Sequence, residues 1–235
     1  MTLYTGAGLS VMSTEVLAEL LGQSWTKMTD EYARGLINSE ATMQASLYHH
    51  LRSMVEGLAI FLEPGLESED WEDSGKTYKP DMVICQGQTV LAIVELKCSP
   101  EDAFASKNDI KKLCAYAKHW NNNKTGKTGQ PLDLDPQVGK YKCAEGAANA
   151  NFFTIDPTAL LVFGLITRTP KLRKPAGEHF FFEACKERFN DAGDTWNRFL
   201  FLSANIADGA DTTDWRSWTK ILRGRSPRDN ESSAN

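Results

Sequence analysis

This sequence has almost none of the features that staple a small fold together or carry it into a membrane. Only five of its 235 residues are cysteine (Cys85, Cys98, Cys114, Cys143 and Cys185). Their number is odd and no two form a C-x-x-C pair, which excludes a disulfide framework and a cysteine-based zinc site. No apolar run approaches the roughly 20 residues that span a bilayer. The opening MTLYTGAGLSVMSTEVLAELLG has no basic stretch of the kind that leads a secretory signal. The expectation is a soluble protein of the reducing cytoplasm with no membrane partner. At this length it can bury one sizeable core unaided.

Familiar phosphate and metal motifs are missing too. Gly126-Lys127-Thr128 looks like the end of a P-loop, but the position five residues before Gly126 is Asn121 rather than glycine. His49 and His50 are adjacent, so on a helix they cannot face one metal. Internal repeats are absent.

A strong basic charge is also lacking, since the formal net charge is −5. That average conceals a gradient. Residues 1–80 carry 12 acids and 5 bases, whereas residues 166–228 carry 8 acids and 12 bases. The bases cluster at Arg168-Lys171-Arg173-Lys174 and at Arg216-Lys220-Arg223-Arg225-Arg228. Such clusters are either a solvated surface or a track for nucleic-acid phosphates.

What is present reads as alternating helices and strands. Met43, Leu47, Leu51, Met54 and Leu58 keep to one helical face, with Asn38 or Ser39 as the cap. Leu58 to Leu62 is a short apolar piece, followed by the acidic GLESEDWEDSG, where strand pairing is not expected. Strands are expected over 80–85 and 90–97, joined by a polar turn around Gly87. A helix opens at Ser99-Pro100 or at Asn108-Asp109 and carries Ile110, Leu113, Ala117 and Trp120 on one face. Residues 121–150 are polar and aperiodic, which suggests an irregular excursion. ALLVFGLIT, 159–167, has the composition of a buried strand, and RFLFLS, 198–203, that of a last one. Trp215, Trp218 and Leu222 recur at helical spacing, as in a terminal helix packed on the core or a stacking platform for bases. The fold class is α/β, a mixed central β-sheet flanked by helices on both faces. One domain is expected over 1–225, with a disordered tail over 226–235.

Three charges stand out in the two strands: Asp81, Glu95 and Lys97. Glu95 and Lys97 share a strand face, and a carboxylate in so apolar a strand needs a cation, a donor or water. A structural Glu–Lys pair at a strand end would satisfy it. Hairpin register decides whether Asp81 joins them. If paired residues sum to 176, as a three- or five-residue loop requires, Asp81 stands opposite Glu95; a two- or four-residue loop puts it on the far side. Glu40 heads the apolar stripe of the first-described helix and faces inward. Three converging carboxylates and a lysine make a hard-oxygen site suited to Mg²⁺ or Mn²⁺. Such a cation stabilises charge in phosphoryl transfer and acidifies a bound water, and the lysine can orient or deprotonate that water or steady the phosphorus.

Glu40 on a helix, Pro80-Asp81, thirteen intervening residues and Glu95-Leu96-Lys97 together resemble the PD-(D/E)xK nuclease superfamily. The resemblance covers roughly residues 38–120 and implies a restriction endonuclease-like fold. Asp81, Glu95 and the Leu96 carbonyl would then bind the first metal. Lys97 would act on the nucleophilic water, and Glu40 would hold a second metal or its waters. Asp109 to Tyr116 resembles the helix that in many members carries a Gln and a Tyr four residues apart, here with Lys112 in place of the glutamine, so Lys112 and Tyr116 become candidate phosphate contacts. Arg173, Lys174, Arg223 and Arg225 join them from the basic clusters. The implied activity is metal-dependent hydrolysis of phosphodiester bonds in DNA, by an endonuclease that pairs into a homodimer to cut both strands. Two alternatives remain: a nucleic-acid-binding or assembly subunit that keeps the fold without cutting, and an unrelated α/β protein whose charges form a structural network.

Overall fold

The computed structural model describes residues 12–67, 79–87, 89–98, 109, 112–113, 116, 132–135, 152–167, 198–205 and 216–221. Two helices lead: α1, Thr14–Ala33, and α2, Glu40–Met54. Ser13 caps α1 by accepting from the Val16 N–H, and Leu17, Leu21, Trp25, Met28 and Tyr32 form its buried stripe. At its end the Leu36 and Gly35 N–H groups return to the carbonyls of Glu31 and Tyr32. That closing turn requires the left-handed conformation, and Gly35 supplies it at φ +75°. Ser39 caps α2, with Thr42 completing the reciprocal pair of cap bonds. The cap falls on Ser39 of the two candidates, and the helix stops at Met54, so Leu58, expected on its face, is instead the first residue of a strand.

Strands β1 (Leu58–Leu62), β3 (Met82–Gln86), β4 (Thr89–Cys98), β6 (Phe152–Thr167), β7 (Phe199–Asn205) and β8 (Arg216–Ile221) lie side by side in that order. The β4–β6 and β6–β7 pairs are parallel, while β1–β3, β3–β4 and β7–β8 are antiparallel, so the sheet is mixed, as expected. A short ribbon of β2 (Gly65–Glu67) and β5 (Leu132–Asp135) attaches at the start of β6.

The sheet separates two apolar layers. Trp25, Met28, Met43 and Leu47 of α1 and α2 pack on Ile84, Val94, Leu96 and Val162. On the other face Val83, Ile93, Leu161 and Phe163 pack with Leu113 and Tyr116, which are helical, as are Asp109 and Lys112. Helices therefore flank both faces. At Gly164 α1 packs closely on the sheet: a Cβ there would lie 2.7 Å from the Trp25 ring and 2.8 Å from Leu96.

Three further expectations change. The stretch beginning at Gly65 does pair, with β5, which itself lies within the segment read as an irregular excursion. Residues 216–221 form a strand on the edge of β7 rather than a helix. The tryptophans at 215 and 218 are three apart, which suits a helical face, but an open sheet edge decides the matter in favour of pairing. The 226–235 tail lies outside the described residues.

Candidate active site

Everything at this site depends on how β3 and β4 are registered. Near the turn, Gln86 pairs with Thr89 and Cys85 with Val90, so only two residues form the loop, with Gly87 at φ +58°. Continued unchanged, that register would place Asp81 and Glu95 on opposite faces. It is not continued. The pairing shifts between Ile84 and Cys85, where Ile84 faces Ala92, and Leu91 becomes the extra residue of a β-bulge. From there Val83 pairs with Ile93 and Met82 with Val94. Val83 and Ile93 lie in the same apolar layer, so Glu95, two residues further along β4, and Asp81, just before β3 and two residues from Val83, come to that side together, with Asp81 Oδ2 on the Leu96 N–H. The bulge restores the alignment that the two-residue loop would have lost.

Asp81 is held from three directions. Its Oδ2 accepts from the Leu96 N–H. Its main-chain carbonyl accepts from the Gln44 side-chain amide on α2, and its main chain also receives the Glu63 N–H at 3.0 Å. Gln44 is buried and was not among the residues singled out from sequence. It lies one helical turn after Glu40, on the same face, which is the signal that would have found it.

Glu40 reaches the sheet from the opposite layer. Its carboxylate accepts from the Lys97 ammonium at 3.1 Å and from the Cys98 N–H at 3.2 Å. Lys97 is thus engaged with Glu40. The cation beside Glu95 is Lys112, with Nζ 3.3 Å from Oε2, and Asp109 lies 3.1 Å from the same ammonium. Glu95 is 1 % exposed, and its second oxygen, Oε1, is buried without a hydrogen-bond partner among the described residues.

Burial dominates the electrostatics. It pushes the Glu95 carboxyl up to about 8, against the lowering pull of Lys112, with the charges of Asp81 and Asp109 adding to the rise. Asp81 rises to about 6, again through burial first, with the Leu96 N–H opposing and the Glu40 charge reinforcing. Burial pulls Lys97 down, but its hydrogen bond and ion pair with Glu40 outweigh that and leave its pKa raised. Lys112 behaves likewise: burial lowers it, while Glu95 and Asp109 raise it further. Both lysines are therefore ammonium ions at neutral pH.

Four carboxyl groups (Glu40, Asp81, Glu95 and Asp109) share the site with two ammonium groups (Lys97 and Lys112), leaving two negative charges uncompensated when all are ionised. One divalent cation would balance them. The orphaned Glu95 oxygen fits the same purpose. Among the described residues, no three His, Cys, Asp or Glu side chains stand close enough to enclose an ion by themselves. Asp81 and Glu95 provide two carboxylates, the number that Mg²⁺ commonly takes from a protein while keeping several waters.

The structure brings Glu40, Asp81, Glu95, Leu96, Lys97 and Lys112 to one end of the sheet. Tyr116, one helical turn after Lys112, is 1 % exposed and lies in the apolar layer with Val83, Ile93 and Leu113. Arg173, Lys174, Arg223 and Arg225 lie outside the described residues. Asp109 is an addition that its place in a polar helix start concealed.

No family model matches this chain, and no curated protein matches it. Among solved structures it is similar to SfsA from Pyrococcus furiosus in complex with Ca²⁺, at 13 % identity and a TM-score of 0.33, over 78 % of this chain and 64 % of that one. No described helix is long and apolar enough to cross a membrane.

Proposed function

We propose that this chain is a metal-dependent nuclease of the PD-(D/E)xK type, hydrolysing phosphodiester bonds in DNA as an endonuclease. The observation that carries the reading is the bulged hairpin, which sets Asp81 and Glu95 on one face, with Glu95 Oε1 buried and without a hydrogen-bond partner among the described residues. Asp81, Glu95 and the Leu96 carbonyl would hold Mg²⁺ or Mn²⁺, and Glu40 would hold a second ion or its waters. The ion, when bound, supplies a Lewis acid for the phosphate and an acidified water.

The remaining work falls to side chains. Lys97 is kept protonated by Glu40, so it donates hydrogen bonds to the attacking water or to a phosphate oxygen and does not take the water's proton. Gln44 fixes the main chain at Asp81, and Leu96 fixes its carboxylate. Charge developing on phosphorus meets donors already in place.

The test is to incubate the pure protein with supercoiled, linear and single-stranded DNA in Mg²⁺, Mn²⁺ or EDTA. Cleavage should require the metal. Lys97→Ala should abolish it while metal binding persists, because an ammonium is no ligand for a hard cation; Asp81→Ala should lose both. Cutting by Lys97→Ala at the wild-type rate would refute the mechanism. Metal binding without turnover on any substrate would instead favour a subunit that binds nucleic acid without cutting it.

A further inference from the structure

The cation that neutralises Glu95 comes from another element. Lys112 reaches across from its helix to within 3.3 Å of Glu95 Oε2, and Asp109, three residues earlier, holds the same ammonium at 3.1 Å. The other lysine of the site is occupied by Glu40. Glu95 is almost fully buried, whereas the Lys112 side chain is 32 % exposed, so the lysine has a route to solvent and the carboxylate has none. One oxygen of Glu95 thus meets an ammonium, and the other has no hydrogen-bond partner among the described residues.

We infer that Lys112 is a built-in competitor for the metal: its ammonium stands in for the divalent cation at Glu95, and binding the ion is an exchange in which Lys112 swings out and keeps Asp109. This rests on reading Asp81 and Glu95 as metal ligands. Lys112 solves a problem for the empty site, since a buried carboxylate left without a counter-charge is costly. The same pairing weakens metal binding, because the ion must first displace a partner. Once displaced, the ammonium, still held by Asp109, has a hydrogen released from Glu95 to donate to an anion entering from solvent. A phosphodiester and the metal would then each favour the other's binding, as linkage requires.

The experiment is calorimetric titration of EDTA-stripped protein with Mg²⁺ at pH 9, above the range to which burial lifts Glu95, so that a proton does not take the lysine's place. Lys112→Met and Lys112→Gln should bind Mg²⁺ about tenfold more tightly than wild type, while Lys112→Arg, which keeps the charge, should stay within about twofold. Equal or weaker binding by the Met and Gln variants would overturn the exchange and leave the metal site standing. If neither wild type nor any variant bound Mg²⁺, both readings would fall. A second measurement uses the unaltered protein: acylation of lysines read by mass spectrometry with and without Mg²⁺. Lys112 should become severalfold more reactive when the ion is added, and a reactivity that stays level or drops would refute the exchange.

Discussion

Replacing Glu95 with glutamine should change how stability depends on pH, and the size of the change follows from the geometry. The Glu95 carboxyl has an ordinary value of 4.5 and is lifted to about 8 in the metal-free fold, chiefly by burial. Below its unfolded value the group is protonated in both states and its contribution is fully present. Between the two values the unfolded chain ionises and the folded one does not, so stability falls by about 1.4 kcal/mol per pH unit. Above the folded value the loss levels off. At 1 % exposure there is little solvent screening to discount. From pH 5.5 to 8, about 2.5 units, wild type should lose about 3 kcal/mol relative to Glu95→Gln. Comparing the two proteins cancels the pH dependence of Asp81 and other shared groups. The assay is urea unfolding of EDTA-treated protein at half-unit pH steps. Saturating Mg²⁺ should flatten the difference, because the bound ion keeps the carboxylate ionised. Parallel stability profiles for the two proteins would mean that Lys112 keeps Glu95 charged throughout, and the burial argument would be wrong.

Gln44→Leu should cost about 0.5–1.5 kcal/mol, since it removes one of the two donors to the Asp81 carbonyl and leaves the Glu63 N–H as the other, and should weaken Mg²⁺ binding by loosening that ligand; unchanged affinity by calorimetry would limit Gln44 to stability. Gly164→Ala should cost at least about 1–3 kcal/mol in urea unfolding through overpacking against Trp25 and Leu96, with Trp25→Leu recovering part of the loss in a double-mutant cycle. Additive losses would refute that contact. Neutralising Arg173 with Lys174, or Arg223 with Arg225, should weaken DNA binding for all sequences alike and reduce its salt slope by about one contact per residue. Unaltered slopes in folded double mutants would make these clusters plain surface.

How much of this was legible beforehand varies with the range of the forces involved. The cap at Ser39, the stripe of α2, the two apolar strands and the quartet of Glu40, Asp81, Glu95 and Lys97 are local patterns, and a pattern of period 3.6 or 2 carries them. The α1 stripe from Leu17 to Tyr32 was equally local and was open to the same reading. What escaped depends on distant partners. The β2–β5 ribbon joins segments 70 residues apart (135 − 65), and β8 is a strand because β7 offers an open edge, which no window of sequence displays. The pairing of charges was misread for a like reason: Lys97 adjoins Glu95 in sequence, yet its partner is Glu40 and the partner of Glu95 is Lys112. Sequence indicated which residues carry charge but not which cation would meet which anion.

The thirteen residues between Asp81 and Glu95 can be divided in two ways: a three-residue loop with plain strands, or the two-residue loop with an extra residue at Leu91 found here. Within that fixed count the pair behaves like compensating frameshifts, each restoring the reading phase that the other disturbs. Deleting Leu91 alone should remove the bulge and leave a regular ladder on the two-residue loop, with Asp81 still facing Glu95. Lengthening the loop by one residue beside Gly87 in that variant gives the three-residue loop with plain strands and the same facing pair. Chains that differ in turn length can therefore keep one arrangement of these acids, provided the ladder beyond the turn ends in the same phase.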